Sequence, residues 1–435
     1  MLNKRYLCNY CLILLLFSVG YLLSYEVLSF LGSGNESLLV RIPRMALVEV
    51  NFIVCCLGSS LLLLAALKPK RWELALILAL GLVFEYYISG FRQYIGRCYW
   101  EQFTLMGPGL LPVCLVYAIV RLCKSCVGGD KEAVVNCLEV LGLSLCMPVY
   151  FGASGGLGAL KGEIVVYDGR LLAADYALTG TQPAFVISEI LRSNAFVDTI
   201  LSIVYNYLSV WMLLTQALYY FYVHKSQETK RVRFIPMLTY AVVACLGILC
   251  YHYFPAVGTK VFCGSAIFPH GPYPEATAAL VPVEAPPYFS RNCMPSLHLT
   301  WILCAFLPVC NWKRSYFYLG LTLVIATLLS AFSFGSHWMT DFVVALPFTV
   351  LCLGLSAIRL DWPKRWGAIC WGASASMLLM FMIKNYPQLI LRCSTEFTIF
   401  VVFADLLSVG FMALLVSGGD KPNINVPKDS LASEG

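Results

Sequence analysis

The sequence predicts an all-α polytopic membrane protein, a helix bundle of about twelve spans. Three observations carry this prediction. The 435 residues are 59% hydrophobic and only 12% charged, with a mean hydropathy of +0.76, whereas soluble chains carry about twice that charged share. The apolar residues gather into runs of roughly 20, the helix length that a bilayer core of about 30 Å requires. The basic residues also sort by side. With the N-terminus in the cytoplasm, 19 of the 30 Lys and Arg fall in inner segments and 11 outside, although the outer loops are longer. That asymmetry follows the positive-inside rule and places both ends in the cytoplasm.

Taken in order, the spans are 6–31, 45–67, 72–91, 103–122, 133–153, 196–223, 233–254, 294–312, 315–334, 337–358, 366–384 and 395–417. The first is too long for a signal peptide and has no small-residue cleavage site after Leu31, so it counts as a span. The 19 cysteines sit mostly inside apolar runs, as Cys55, Cys245, Cys304 and Cys352 do, where Cys acts as a small apolar residue. No spacing among them describes a zinc site. Short, dispersed basic clusters exclude nucleic-acid binding. The lack of an internal repeat speaks against a transporter built from two similar halves.

Two outer segments are too long for simple connectors. Segment 154–195 contains Tyr167-Asp168-Gly169-Arg170 and then a helical pattern that reads as a helix lying along the interface. Segment 255–293 is rich in Pro and Gly and runs directly into a span; long ordered loops are usually functional. Cys263 and Cys293 both lie there and could form a disulfide if the compartment is oxidising. Asn35-Glu36-Ser37 is a glycosylation sequon on an outer loop. Glu49, Glu85, Glu139 and Asp405 fall inside spans, where they serve either function or helix–helix bonding. The tail after Ser417 is polar and reads as disordered.

Four of the five histidines, His252, His270, His298 and His337, lie at or near the outer face. Two of them have suggestive neighbours. In Arg291-Asn292-Cys293-Met294-Pro295-Ser296-Leu297-His298, Pro295 suits a first helical turn. Ser296 and the free N–H groups of that helix start would then face water and cradle a phosphate. In Ser336-His337-Trp338-Met339-Thr340-Asp341, His337 and Asp341 share one helix face. A carboxylate beside an imidazole fixes its tautomer and raises its basicity, leaving the other nitrogen free to attack. With a second histidine as proton donor, this set suffices to split a phosphoester without a metal or other cofactor.

Pro-Ser-Leu-His at 295–298 followed by His-x-x-x-Asp at 337–341 resembles the type 2 phosphatidic acid phosphatase superfamily. Tyr253-Phe254-Pro255-Ala256 and the Tyr167-to-Leu178 segment are similar to its inositol phosphorylceramide synthase-like branch. The resemblance implies a six-helix catalytic core at 133–358, including outer loops 154–195 and 255–293. A four-helix membrane extension would occupy 1–132, two spans 359–417, and the tail 418–435. It implies His337 as nucleophile, Asp341 as its orienting partner and His298 as general acid.

The phosphatase branch carries a Ser-Arg pair upstream of the nucleophile, but here Ser330 precedes Ala331. Arg291, Lys260 and Ser296 at the helix start would then have to bind the phosphate. The missing arginine favours a phosphotransferase: a phospholipid or isoprenoid-phosphate donor passes its phosphate-containing head group to a lipid or glycan hydroxyl. The active site would face the periplasm of a bacterial inner membrane or the lumen of a eukaryotic endomembrane. A lipid phosphate or polyprenyl phosphate phosphatase, with water as acceptor, is the alternative.

Overall fold

The computed structural model describes residues 50–94, 107–130, 164–215, 236–264, 267–271, 283–285, 293–310, 314–357 and 361–417, with short pieces between 133 and 145. The span 6–31, the sequon, Glu49, Glu139, Arg291 and the tail lie outside the described residues.

What is described is mostly helical. An N-terminal group holds Val50–Leu67 (α1), Arg71–Tyr94 (α2) and Gly107–Val127 (α3), with α3 packed on both of the others. Glu85 is no isolated intramembrane charge, because its Oε2 accepts the Gly109 N–H at 2.7 Å and joins α2 to the start of α3. After the short strand Ile164–Val166 (β1) come Asp168–Thr179 (α4), Pro183–Arg192 (α5) and Ala195–Asn206 (α6). The α6 axis bends by 62° into a further helical stretch, Leu208–Thr215.

The remainder consists of Pro236–Tyr253 (α7), Thr259–Cys263 (α8), Val283–Ala285 (β2), Leu297–Phe306 (α9), Arg314–Ser333 (α10), Met339–Ser356 (α11), Trp362–Asn385 (α12), Pro387–Arg392 (α13) and Ser394–Ser417 (α14). Five described helices are long and apolar enough to cross a membrane, or six if the bent pair counts as one span. These helices fit a multi-pass membrane protein.

Helix α11 is the hub, touching α7, α9, α12 and α14. Most of it is buried, whereas the other four spans are largely open to their surroundings. Side chains such as Phe84, Ile119, Ile325, Phe381, Phe403 and Leu406 are exposed, as a lipid-facing surface requires. Gly372 of α12 lies against the α11 backbone, where an added Cβ would stand 2.4 Å from the Leu351 nitrogen. Such close approach is the usual way membrane helices gain packing contacts, since lipid offers no hydrophobic drive between them. At the far end of α11, Arg365 donates to the Gly354 and Leu355 carbonyls, both at 3.1 Å, and so satisfies orphan helix acceptors. Asp405 lies on α14, and its buried Oδ1 has no partner among the described residues.

Two expectations change here. The bundle is not purely helical: β1 and β2 pair antiparallel, Ile164 with Ala285 and Val166 with Val283. Each strand holds β-branched residues, and the pairing ties the two long outer segments to each other. The helix expected along the interface is instead enclosed. In α4, Asp168, Leu171, Leu172, Ala173, Ala174 and Asp175 are all buried, and the helix packs against α11, α12, α13 and α14. A surface amphipath keeps one polar face in water, but α4 turns its two acids inward, where hydrogen-bond donors meet them.

Candidate active site

The two histidine motifs are 39 residues apart in sequence and adjacent in space. Helix α9 begins at Ser296, whose Oγ accepts the Leu299 N–H at 3.5 Å. Its own N–H donates to the Asp341 carbonyl at 3.2 Å, so the starts of α9 and α11 are bonded to each other. Ser296 is fully buried. This corrects the expectation that it faces the aqueous boundary, because its hydroxyl oxygen caps α9 and its N–H ties the α9 start to that of α11.

Asp341 is the third residue of α11. Its Oδ2 accepts the Trp338 N–H at 2.7 Å, which closes the start of its own helix. The same oxygen lies 3.2 Å from His337 Nδ1. A carboxylate can only accept, so Nδ1 carries the imidazole proton and Nε2 keeps its lone pair. That Nε2 lies 3.1 Å from His298 Nδ1. The result is a continuous chain, Asp341–His337–His298, with His337 only 2% exposed. The Tyr205 ring stacks on His298 with centroids 4.6 Å apart and planes 15° apart, fixing the second imidazole from behind. Tyr205 comes from α6 just before its bend, and Arg192 of α5 lies over the neighbouring Phe334 ring at 5.8 Å, ion-paired with Asp198 at 3.3 Å.

The acids of α4 hold this chain in place. Asp168 accepts from Val257 N at 2.9 Å, Gly258 N at 2.8 Å and Trp338 Nε1 at 2.8 Å. Asp175 accepts from Met339 N and Thr340 N, both at 2.9 Å, and from the Thr340 hydroxyl. The latter two N–H groups open α11, where a helix leaves donors unpaired and favours a negative charge. Burial pushes both carboxyls up, to about 7, while the donated hydrogen bonds act in the opposite direction. The segment before His337 is pinned as well: Lys260 N donates to Gly335 O at 2.9 Å, and the Thr259 hydroxyl to His337 O at 3.2 Å.

Gly258 makes this docking possible. Its φ is +87°, and a Cβ there would stand 2.4 Å from the Ser336 carbonyl. Gly258→Ala is expected to cost about 1–3 kcal/mol in thermal unfolding and to lower turnover by displacing the His337 segment. Unchanged melting and turnover would mean the segment yields freely.

The sequence offers Cys293 only as a disulfide candidate. In the structure both Cys263 and Cys293 are free thiols. The Cys293 thiol donates to Asp341 Oδ2 and lies 3.5 Å from His337 Nδ1, inside the chain rather than bonded to Cys263. Lys260 has an exposed side chain, and His252 and His270 are exposed too. Sequence reasoning did not single out Tyr205, Cys293, Asp168 or Asp175 as site residues. The acids offered a signal, since two carboxylates seven residues apart lie on one helix face, but nothing local says whether that face meets water or donors.

An enclosed His–His–Asp chain at one end of a membrane helix bundle defines a membrane protein equipped for proton transfer and nucleophilic attack. Residues 170–355, the stretch from α4 to α11, match the model of the PAP2 superfamily. No curated protein and no solved structure matches the chain. That match points to a lipid phosphatase or phosphotransferase, and lipid substrates agree with the membrane setting.

Proposed function

We propose that the protein is an integral-membrane lipid phosphotransferase that works through a phosphohistidine. The single observation that carries this is the geometry of His337: Nδ1 faces Asp341 at 3.2 Å, and Nε2 points at a second imidazole. Nε2 attacks the phosphorus of a phospholipid or isoprenoid-phosphate donor. The bond from phosphorus to the leaving oxygen breaks, and His298 gives that oxygen its proton. Asp341 stabilises the positive charge that develops on His337. A lipid or glycan hydroxyl then gives its proton to His298 and attacks phosphorus, and the P–N bond breaks. Attacking and leaving atoms lie in line on opposite sides of phosphorus. At 3.1 Å the two rings are too close for a phosphoryl group between them, so substrate binding must move His298 away.

The kit needs no metal for this step, since nucleophile, acid and orienting carboxylate are all side chains. Arg291 and Lys260 supply cationic charge to the transition state. Ser296 contributes by placing the helix start, its own groups being occupied. Ser330-Ala331, where the phosphatase branch carries Ser-Arg, supports the transferase and its inositol phosphorylceramide synthase-like character. We place the site at the periplasmic or lumenal face, both termini in the cytoplasm, and about twelve spans in the whole chain. The divisions are 1–132, 133–358, 359–417 and 418–435. The second reading, a phosphatase with water as acceptor, shares the first half-reaction.

The test is to trap the intermediate. Purified protein is incubated with phospholipids labelled in the head-group phosphate and quenched in alkali, under which phosphohistidine survives. His298→Ala is expected to keep the label but to form it about 10²–10⁴-fold more slowly. Inorganic phosphate release that ignores an added lipid alcohol would favour the phosphatase; product that needs the alcohol supports the transferase. Turnover at the wild-type rate in His298→Ala would remove His298 from the reaction.

A further inference from the structure

Cys293 takes no step in the reaction above, yet its sulfur sits among the atoms that arm His337. We propose that Cys293, His337 and Asp341 form an inhibitory site for a thiophilic divalent cation of the Zn2+ class. The ion would act by holding His337 in the wrong tautomer. This rests on the reading of His337 as nucleophile.

The donor set fits the ion. The Cys293 sulfur, a His337 ring nitrogen and an Asp341 oxygen all lie within 4.8 Å of one another. Sulfur to Nδ1 is 3.5 Å, and Nδ1 to Oδ2 is 3.2 Å. Ligands bonded at about 2.0–2.3 Å in a tetrahedron stand at roughly such separations. The sulfur lies closer to Oδ2 than two ligands of one ion sit, so the thiol must rotate or the other carboxylate oxygen must serve. That oxygen is available, because Asp341 Oδ1 is buried and has no partner among the described residues. Asp341 as a whole is 0% exposed, so the carboxylate that meets the thiol and the imidazole through Oδ2 keeps a second, buried acceptor without a partner among the described residues. Thiolate, imidazole and carboxylate also form the mixture of donors that zinc takes and that Mg2+ or Ca2+ does not.

Charge favours occupation. With a thiol, a neutral imidazole and a carboxylate, the buried cluster carries one negative charge. With the thiolate and a dication it carries none, and burying a neutral assembly costs less than burying a net charge. The thiol proton leaves to solvent, and nothing is oxidised or reduced.

The consequence for catalysis follows from proton bookkeeping. An ion bound at Nδ1 uses the lone pair there, so the single imidazole proton must reside on Nε2. Nε2–H then donates to His298 Nδ1, 3.1 Å away. The lone pair that would attack phosphorus is gone, although no substrate contact has been blocked.

The experiment uses the full-length protein in detergent after treatment with EDTA, and it reads binding and activity separately. Co2+ is titrated first, because a thiolate bound to Co2+ gives a near-ultraviolet charge-transfer band. Wild type is expected to show a component of that band that is lost in Cys293→Ala and retained when the exposed Cys123 and Cys126 are both changed to Ala. Free Zn2+ is expected to inhibit wild type reversibly, while Mg2+ does not. Cys293→Ala should need at least tenfold more Zn2+ for half-inhibition, each variant being normalised to its own zinc-free rate. Should Cys293→Ala fail to fold, Cys293→Ser keeps a donor toward Asp341 without the soft ligand. An unchanged half-inhibiting Zn2+ concentration, or no Cys293-dependent Co2+ band, would overturn the proposal. So would loss of activity on chelation with recovery on adding Zn2+, since the ion would then be required. Turnover that survived His337→Asn would instead sink the nucleophile reading, while the Co2+ band still judged the binding site by itself.

Discussion

His337→Asn is expected to lower kcat/KM by at least about 10⁴-fold, a loss of roughly 5 kcal/mol of transition-state stabilisation. Asn keeps a polar group near Asp341 Oδ2, so the fold around the site should persist. What disappears is Nε2, the atom that lies 3.1 Å from His298 and has no other role among the described contacts. Two readouts must agree. Turnover should vanish, and the alkali-stable label that wild type acquires from a labelled phospholipid should be absent at any incubation time. A variant that still accumulates label at the wild-type level would move the nucleophile elsewhere. A variant that stays unlabelled yet turns over would mean that no covalent intermediate lies on the pathway.

Asp168→Ala should produce the largest loss of stability. It removes the acceptor for three buried donors, Val257 N–H, Gly258 N–H and the Trp338 indole. Each donor stranded in an enclosed site costs about 1–3 kcal/mol, so a total on the order of 3–9 kcal/mol is expected. The three donors belong to the segment after α7 and to the residue following His337. Their release should therefore disorder the site, and turnover should drop with stability. Thermal unfolding in detergent tests the first part, and activity well below the melting temperature tests the second. Asp168→Asn should fall between wild type and Ala, since the amide offers one acceptor oxygen and turns a donor toward the other N–H groups. Equal melting of wild type and Asp168→Ala would show that solvent or lipid head groups replace the carboxylate, and α4 would lose its role as a clamp.

Much of this was legible in the residues. The four-residue spacing of His337 and Asp341 predicts that they meet, and the structure puts Nδ1 and Oδ2 at 3.2 Å. The contact is made across the turn that opens α11 and not on one helix face, because the helix starts at Met339 and Trp338 is its extended N-cap. Charge sorting predicts that His298 and His337 lie on the same side of the membrane, and the structure brings their ring nitrogens to 3.1 Å. The environment of Ser296 was not legible. A Ser ahead of a helix reads equally as a cap and as a phosphate ligand, and only the packing of the α9 start against α11 decides which groups are spent. The α4 acids failed in the same way. Asp175 among Leu and Ala reads as the polar face of an interface helix, because local sequence cannot tell water from a distant set of N–H donors.

Chain composition, apolar run length and the placement of Lys and Arg determined that this is a multi-pass membrane protein, because a bilayer imposes the same length and charge rules on every span. Local spacing determined the imidazole–carboxylate pair, because a helix-start turn brings residues four apart within reach of each other. Only the tertiary structure decided what surrounds that pair. Tyr205 behind His298, the Cys293 thiol on Asp341, and the two α4 carboxylates on the start of α11 lie 48 to 170 residues from their partners in sequence. Contacts of that span arise from how helices pack, and a hydrogen bond between distant segments leaves no periodicity in the chain that forms it.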